Sequence, residues 1–141
     1  MLNLTELAGE LQEQTEWQET PQPLTADQYL GMTLHGLRRL FIDTGRAQQY
    51  DPEKLIIENE ALYYDETFYI DEEEYIKLCA KINFFRKVQT DVNNTFGYST
   101  DALTVTNADK PYANLKNTLD DIDNERRILY YKMVRFTLGQ E

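Results

Sequence analysis

The chain has 141 residues, 41% of them hydrophobic and 12% aromatic, a formal net charge of −11 and a single cysteine. That content is too apolar for a disordered segment and, at this length, predicts one domain with a modest core. One thiol excludes an intrachain disulfide and a cysteine metal cluster, and no apolar run approaches the roughly 20 residues that cross a bilayer.

The charge is unevenly placed. Residues 1–74 carry 17 acidic and four basic side chains, a net −13, while residues 75–141 carry eight acidic and ten basic, a net +2. Affinity for nucleic acid rests on neutralising phosphates, so a chain of this sign is a poor candidate for wrapping DNA. Its acids would repel a phosphate backbone, imitate one, or simply keep the protein soluble. Residues 1–9 show no basic region followed by an apolar stretch, so no secretion signal is read and synthesis in the cytoplasm is expected.

Residues 2–17 form a short amphipathic helix, with Leu4, Leu7 and Leu11 on one face and Glu6, Glu10, Glu13 and Glu16 on the other. A Leu stripe this narrow does not hold a helix in water by itself. It either docks on a neighbouring subunit or folds back on its own bundle. Trp17 closes the segment, and Thr20-Pro21-Gln22-Pro23 follows as a stiff extended linker. Thr25 with Gln28 three residues on makes a capping box, Leu30, Leu34, Leu37 and Phe41 supply a core face, and Gly45 ends this second helix. Arg38, Arg39 and Arg46 cluster here. They either meet an acidic partner or neutralise local carboxylates. His35, the sole histidine, reads as a surface or packing residue.

From residue 51 the pattern changes to β-branched and aromatic residues. Residues 54–58 and 62–70 read as strands, with a helix over 52–59 as the alternative for the first, and Asn59-Glu60-Ala61 as the turn of a ribbon that pairs within or between chains. Then come two heptad seams. Tyr75, Leu78, Ile82, Phe85, Gln89, Val92 and Phe96 recur at alternating spacings of three and four, with Asp71 and Glu74 as a capping box and Gly97 as the stop. Tyr112, Leu115, Leu119, Ile122, Arg126, Leu129, Met133 and Phe136 repeat the pattern, with Asp109 as N-cap and Pro111 in the first turn. The polar loop between them allows an antiparallel return that sets Phe96 near Tyr112, Phe85 near Ile122 and Tyr75 near Met133. The expected fold is therefore mainly α, a helical bundle built on a long antiparallel helical hairpin with a small β-hairpin or ribbon insertion. An N-terminal amphipathic arm and Pro linker occupy 1–23. A single helical-bundle domain occupies 24–141, with the ribbon at 54–70 and the hairpin at 71–138.

Chemistry is harder to find. Asp120, Asp121, Asp123 and Glu125 sit on a predicted helix and diverge, flanked by Arg126 and Arg127, whereas calcium needs converging oxygens on a sharply turned loop. Residues 91–102 lack the glycine at the sixth position and the Glu at the twelfth that an EF-hand loop requires. A carboxylate di-iron bundle needs Glu-x-x-His pairs, and a Ser or Cys nucleophile needs a base, yet His35 is the only histidine. The expectation is a protein without catalytic residues, metal or cofactor. Cys79 reads as a small buried hydrophobe. Arg126 breaks the C-terminal seam, as Gln89 does upstream, and is expected to face a carboxylate of the bundle or of a neighbouring subunit and so fix register. Candidate contact residues are Leu4, Leu7, Leu11, Trp17, Arg38, Arg39 and Arg126.

The combination of capped helix, aromatic ribbon and long hairpin, with the stretch from Tyr98 to Tyr112 and Asn124-Glu-Arg-Arg-Ile-Leu-Tyr-Tyr-Lys-Met133, resembles the α-helical head–tail connector (adaptor) proteins of tailed bacteriophages and prophages. The resemblance covers residues 25–137 and leaves the N-terminal arm outside it. It implies a structural virion component in the phage neck, made in the bacterial host cytoplasm, and a ring of copies contacting portal and tail proteins. DNA would pass through its channel without sequence-specific binding, and no membrane is involved. An acidic wall drawn from Glu58, Glu60, Glu72 and Glu73 would let the duplex slide. Two other readings are an acidic DNA mimic that inhibits a nuclease or defence protein, and a helical protein–protein interaction module. The mimic fits less well, because the acids are clumped rather than spaced like phosphates.

Overall fold

The computed structural model describes residues 1–96 and 110–139, with side chains for all of these except 110 and 135–139. The chain is mainly helical, with a small three-stranded antiparallel sheet. In order come β1 (Leu2–Asn3), α1 (Leu4–Gln14), α2 (Ala26–Asp43), β2 (Leu55–Glu58), β3 (Ala61–Tyr64), α3 (Ile70–Phe96) and α4 (Leu115–Gly139).

Residues 1–23 do not stand apart. Leu2 and Asn3 pair with Tyr64 and Tyr63, so the start of the chain adds a third strand beside β3. The Asn3 side chain then accepts the Glu6 N–H at 3.0 Å and caps α1. Leu4, Leu7, Ala8 and Leu11 all point into the body of the same chain. Of the two expected outcomes for this helix, folding back on its own bundle is the observed one, because α2 and the sheet supply the apolar cover that the Leu stripe needs.

α2 carries the expected capping box in full. The Thr25 N–H donates to Gln28 Oε1 at 2.8 Å, and the Gln28 N–H donates to Thr25 Oγ1 at 3.2 Å. At its other end Gly45 is left-handed (φ +74°), with Gly45 N–H bonded to Ile42 O and Arg46 N–H to Phe41 O, a Schellman stop. Midway, Gly36 is buried where α2 lies directly on α3. A Cβ there would run into the Ile76 carbonyl oxygen, so the helices approach this closely only because the position has no side chain.

The ribbon is shorter than its composition suggests. β2 and β3 pair in register Leu55–Tyr64 to Glu58–Ala61 around a two-residue turn in which Asn59 and Glu60 both have positive φ, 50° and 66°. Pairing ends at Asp65, whose N–H reaches Lys54 O at 2.8 Å, and the Glu66 N–H turns back to Tyr64 O. Residues 65–70 therefore do not continue the strand: Phe68 packs edge-on to Phe41, and Ile70 already begins α3. The ribbon pairs within the chain, with β1 as its third member.

Two helix starts also move. The α3 cap lies two residues earlier than the expected Asp71–Glu74 box: Glu72 Oε1 accepts the Tyr69 N–H at 3.0 Å, and Tyr69 O accepts the Glu73 N–H. Pro111 lies in a 3-10 turn, Lys110–Tyr112, rather than in the first turn of α4, which begins at Leu115. At 1.5 Å per residue α4 is roughly 37 Å long. The Gly97 stop, the loop at 98–109 with its Asp109 cap, and the Phe136 side chain lie outside the described residues.

Two apolar clusters hold the body together. Leu2, Leu4, Leu7, Leu37, Leu40, Phe41, Tyr64, Tyr75, Ile76 and Cys79 form one, under the sheet. Leu11, Met32, Ala80, Phe84, Phe85, Val88, Val92, Tyr112 and Leu115 form the other, further along α3. In the first, Phe41 meets Tyr50, Tyr64 and Phe68 at ring separations of 5.7–6.1 Å, geometries that add to the area they bury.

Candidate functional site

Polar side chains from three helices converge at one place. The Tyr75 hydroxyl of α3 donates to Asp43 Oδ2 at the end of α2 and accepts from Arg126 Nη1 of α4 at 3.0 Å. Asp43 Oδ1 in turn pairs with Arg39 Nη2 at 2.5 Å, and Arg126 Nη1 lies 3.8 Å from Asp43 Oδ2. On α4 itself, Arg126 Nε donates to Asp123 Oδ1 at 2.9 Å, and Arg127 Nη2 lies 3.0 Å from Asp123 Oδ2. The chain Arg39–Asp43–Tyr75–Arg126–Asp123–Arg127 thus links α2, α3 and α4 through alternating charges.

Burial, and then donation to Asp43, hold the Tyr75 phenol well above its ordinary value, so it stays a neutral donor. Burial opposes the charge of Arg126, but its bonds to Tyr75 and Asp123 outweigh that and hold it above its ordinary range. Cys79, one turn from Tyr75, is pushed up to about 12, by burial first and Asp43 second, which keeps it a thiol rather than a nucleophile. The arrangement fixes geometry: every charge has an opposite neighbour, and the one proton donor is spent on a carboxylate. The expectation that Arg126 faces a bundle carboxylate is met by Asp123 and, across the helices, by Asp43.

The arginine cluster is occupied within the chain. Arg46 Nη2 pairs with Glu72 Oε2 at 2.7 Å, and its guanidinium lies over the Phe41 ring at 5.3 Å. Arg38 lies over the Tyr50 ring at 5.7 Å. His35 is exposed on α2. Partial burial, then Arg39, Arg86 and Arg38, lower its pKa.

The other residues singled out by sequence separate into two groups. Leu4, Leu7 and Leu11 are core residues of this chain, and Glu72 is committed to Arg46. Trp17 stands largely exposed, with its ring 5.7 Å from Phe85 and its indole N–H on Gln14 O. Glu58 and Glu60 are exposed at the ribbon tip, and Glu73 is half-buried on the first turns of α3. The four acids therefore fall at two places, the tip and the α3 start. Sequence reasoning did not single out Asp43 or Tyr75 for the polar network. The only signal was a carboxylate at the last turn of α2 and a seam residue that happens to be a tyrosine.

A narrow cleft between α1, α2 and α3, lined by Leu7, Glu10, Leu11, Thr33, Lys77 and Ala80, holds about 10 Å³, room for roughly one water. Lys77 Nζ sits 3.1 Å from Glu10 Oε2 there, an ion pair across the cleft. Among the described residues no three His, Cys, Asp or Glu side chains are grouped to hold a metal, and no helix is long and apolar enough to cross a membrane. Comparison with protein-family models, with curated proteins and with solved structures returns no match.

Proposed function

We propose that this chain is a structural subunit of a tailed bacteriophage or phage-like particle, a head–tail connector that works by contact with its neighbours rather than by catalysis. The observation that carries this reading is the surface. A body with two packed clusters still leaves Ile57, Tyr69 and Ile70 at 77, 77 and 84% exposure and Tyr131 at 67%. Exposed apolar side chains that adjoin, as Tyr69 does Ile70 and Tyr131 does Ile128 one turn away, mark surfaces that other proteins cover.

In this reading α3 and α4 form the long antiparallel hairpin of the fold. Support comes from Phe96, whose ring lies 5.9 Å from Tyr112 at one end, and from Tyr75, bonded to Arg126 further along. The acidic ribbon tip, Glu58 and Glu60, is the part of the surface suited to face DNA without holding it. The ring of copies, the portal and tail contacts and the neck location follow from the family resemblance and belong to the proposal. A tagged chain recovered from a prophage-induced lysate, analysed by mass spectrometry and negative-stain microscopy, tests it. Recovery with portal and tail proteins, or in ring-shaped particles, is the expected result. Recovery with a single nuclease and no particles would sink it in favour of mimicry.

A further inference from the structure

Two exposed patches of this chain are opposite in charge and alike in apolar content. On the outer face of α4, Arg127, Ile128, Tyr131 and Lys132 lie within two turns, Ile128 being 51% exposed, while Leu129, Tyr130 and Met133 pack toward the body. At the start of α3, Tyr69 and Ile70 are followed on the same helix face by Glu73 and Glu74, at spacings of three and four from Ile70. Lys77, one turn on, is tied to Glu10. Arg127, itself largely exposed, bridges Asp123 within one helix turn, the kind of pair that holds a side chain weakly.

The patches do not face each other. Tyr75 turns its hydroxyl to Arg126 of α4, and at 100° per residue Glu74, Ile70 and Glu73 are rotated roughly 100–160° from it around α3. One molecule therefore presents a basic aromatic surface in one direction and an acidic apolar surface in another. Two different complementary surfaces on one subunit make a heterologous contact, which propagates from copy to copy until it closes.

We infer that the occupant of each patch is a second copy of this chain, with Ile128 and Tyr131 of one molecule set against Tyr69 and Ile70 of the next, and Arg127 and Lys132 against Glu73 and Glu74. The inference rests on the self-association contained in the connector reading and names its faces.

The test uses the full chain and two double variants, Arg127→Glu/Lys132→Glu and Glu73→Lys/Glu74→Lys, in sedimentation velocity over a range of concentrations, with circular dichroism to show that each is folded. The wild type should form species larger than a dimer as concentration rises, and added salt should weaken them. Each variant alone sets like charges face to face and should need at least about tenfold higher concentration to associate. An equimolar mixture offers complementary patches at every junction, with inverted sign at one and native sign at the next, and should reassemble. Folded variants that assemble as the wild type does, or a mixture that stays monomeric, would overturn the interface and leave the connector reading standing. A wild type that is monomeric at every concentration would overturn it as well, and the lysate experiment then decides the connector reading separately.

Discussion

α3 and α4 are nearly equal in length and carry the same heptad spacing, yet they are buried to different depths. Along α3, Tyr75, Ile76, Leu78, Cys79, Ala80, Ile82, Phe84, Phe85, Val88 and Val92 are all buried. Among the described side chains of α4 only Leu115 reaches that state, while Leu119, Ile122, Leu129 and Met133 stay partly exposed. The difference shows in the seam itself and is completed outside it. Ile76, Ala80, Phe84 and Val88 form a second stripe on α3 at spacings of four, which takes α2 through Gly36 and Tyr29. The corresponding outward positions of α4 hold Ile128 and Tyr131, which none of the described residues buries. One stripe makes a helix a lid on its neighbour, and two make it a centre.

The sharpest test of that contrast is a pair of truncations read by urea unfolding. Phe84→Ala should cost about 3–5 kcal/mol, whereas Leu129→Ala on α4 should cost about 1–2 kcal/mol, because its site can collapse toward solvent. Equal losses would erase the distinction. Next in size is Gly36→Ala. An added methyl at the α2–α3 contact meets backbone rather than a yielding side chain, so a loss of about 2–3 kcal/mol in the same assay is expected. No loss would mean the helices do not lie this close.

Arg126→Leu probes what fastens α4 beyond its half-buried seam. The added apolar contact is offset by losing the bonds to Asp123 and the Tyr75 hydroxyl and the charge beside Asp43, with only Arg39 and Arg127 left to the two carboxylates, and the net cost should be about 1–2 kcal/mol. A marked rise in melting temperature with unchanged assembly would strip Arg126 of any role in register. A change in the opposite direction is expected at the ribbon tip, where Glu60 takes a left-handed conformation that suits glycine. Glu60→Gly should raise stability by about 1 kcal/mol, and a neutral result would mean the turn relaxes in solution.

The smallest effect is a pH dependence. The folded pKa of His35 lies below its unfolded value, so the unfolded chain takes up the proton first as pH falls. Its share of stability is complete above the unfolded pKa of about 6.5, is lost as pH drops below that, and levels off once the folded imidazole is protonated too. Unfolding midpoints at neutral and mildly acidic pH should differ slightly less in His35→Gln than in the wild type. Identical differences would mean that burial and the neighbouring arginines do not lower the pKa of His35.

The legible parts of the sequence were those written in local spacing. The Thr25–Gln28 box, the Gly45 stop and the seam through Tyr75 and Leu115 all depend on neighbours three or four residues away. What escaped depends on distant partners. Residues 65–70 have strand composition, but Phe68 is claimed by Phe41, and the Tyr69–Glu72 cap starts α3 earlier. β1 is only Leu2 and Asn3, too short for any pattern, and exists because β3 offers an edge. Asp43 and Tyr75 look like a helix-end acid and a core aromatic until the fold brings them to Arg126.

The position of β1 also bears on how the chain is made. During synthesis the N-terminal segment emerges first, yet Leu2 and Asn3 pair with residues that appear some sixty positions later. Until β3 and the α2–α3 contact are complete, Leu4, Leu7 and Leu11 lack part of their cover, and at about 5–20 residues per second that interval lasts several seconds. The nascent chain therefore exposes its own apolar stripe for that time, and the ribosome-bound form, rather than the finished protein, is where this segment is open to chaperones or to a neighbouring copy.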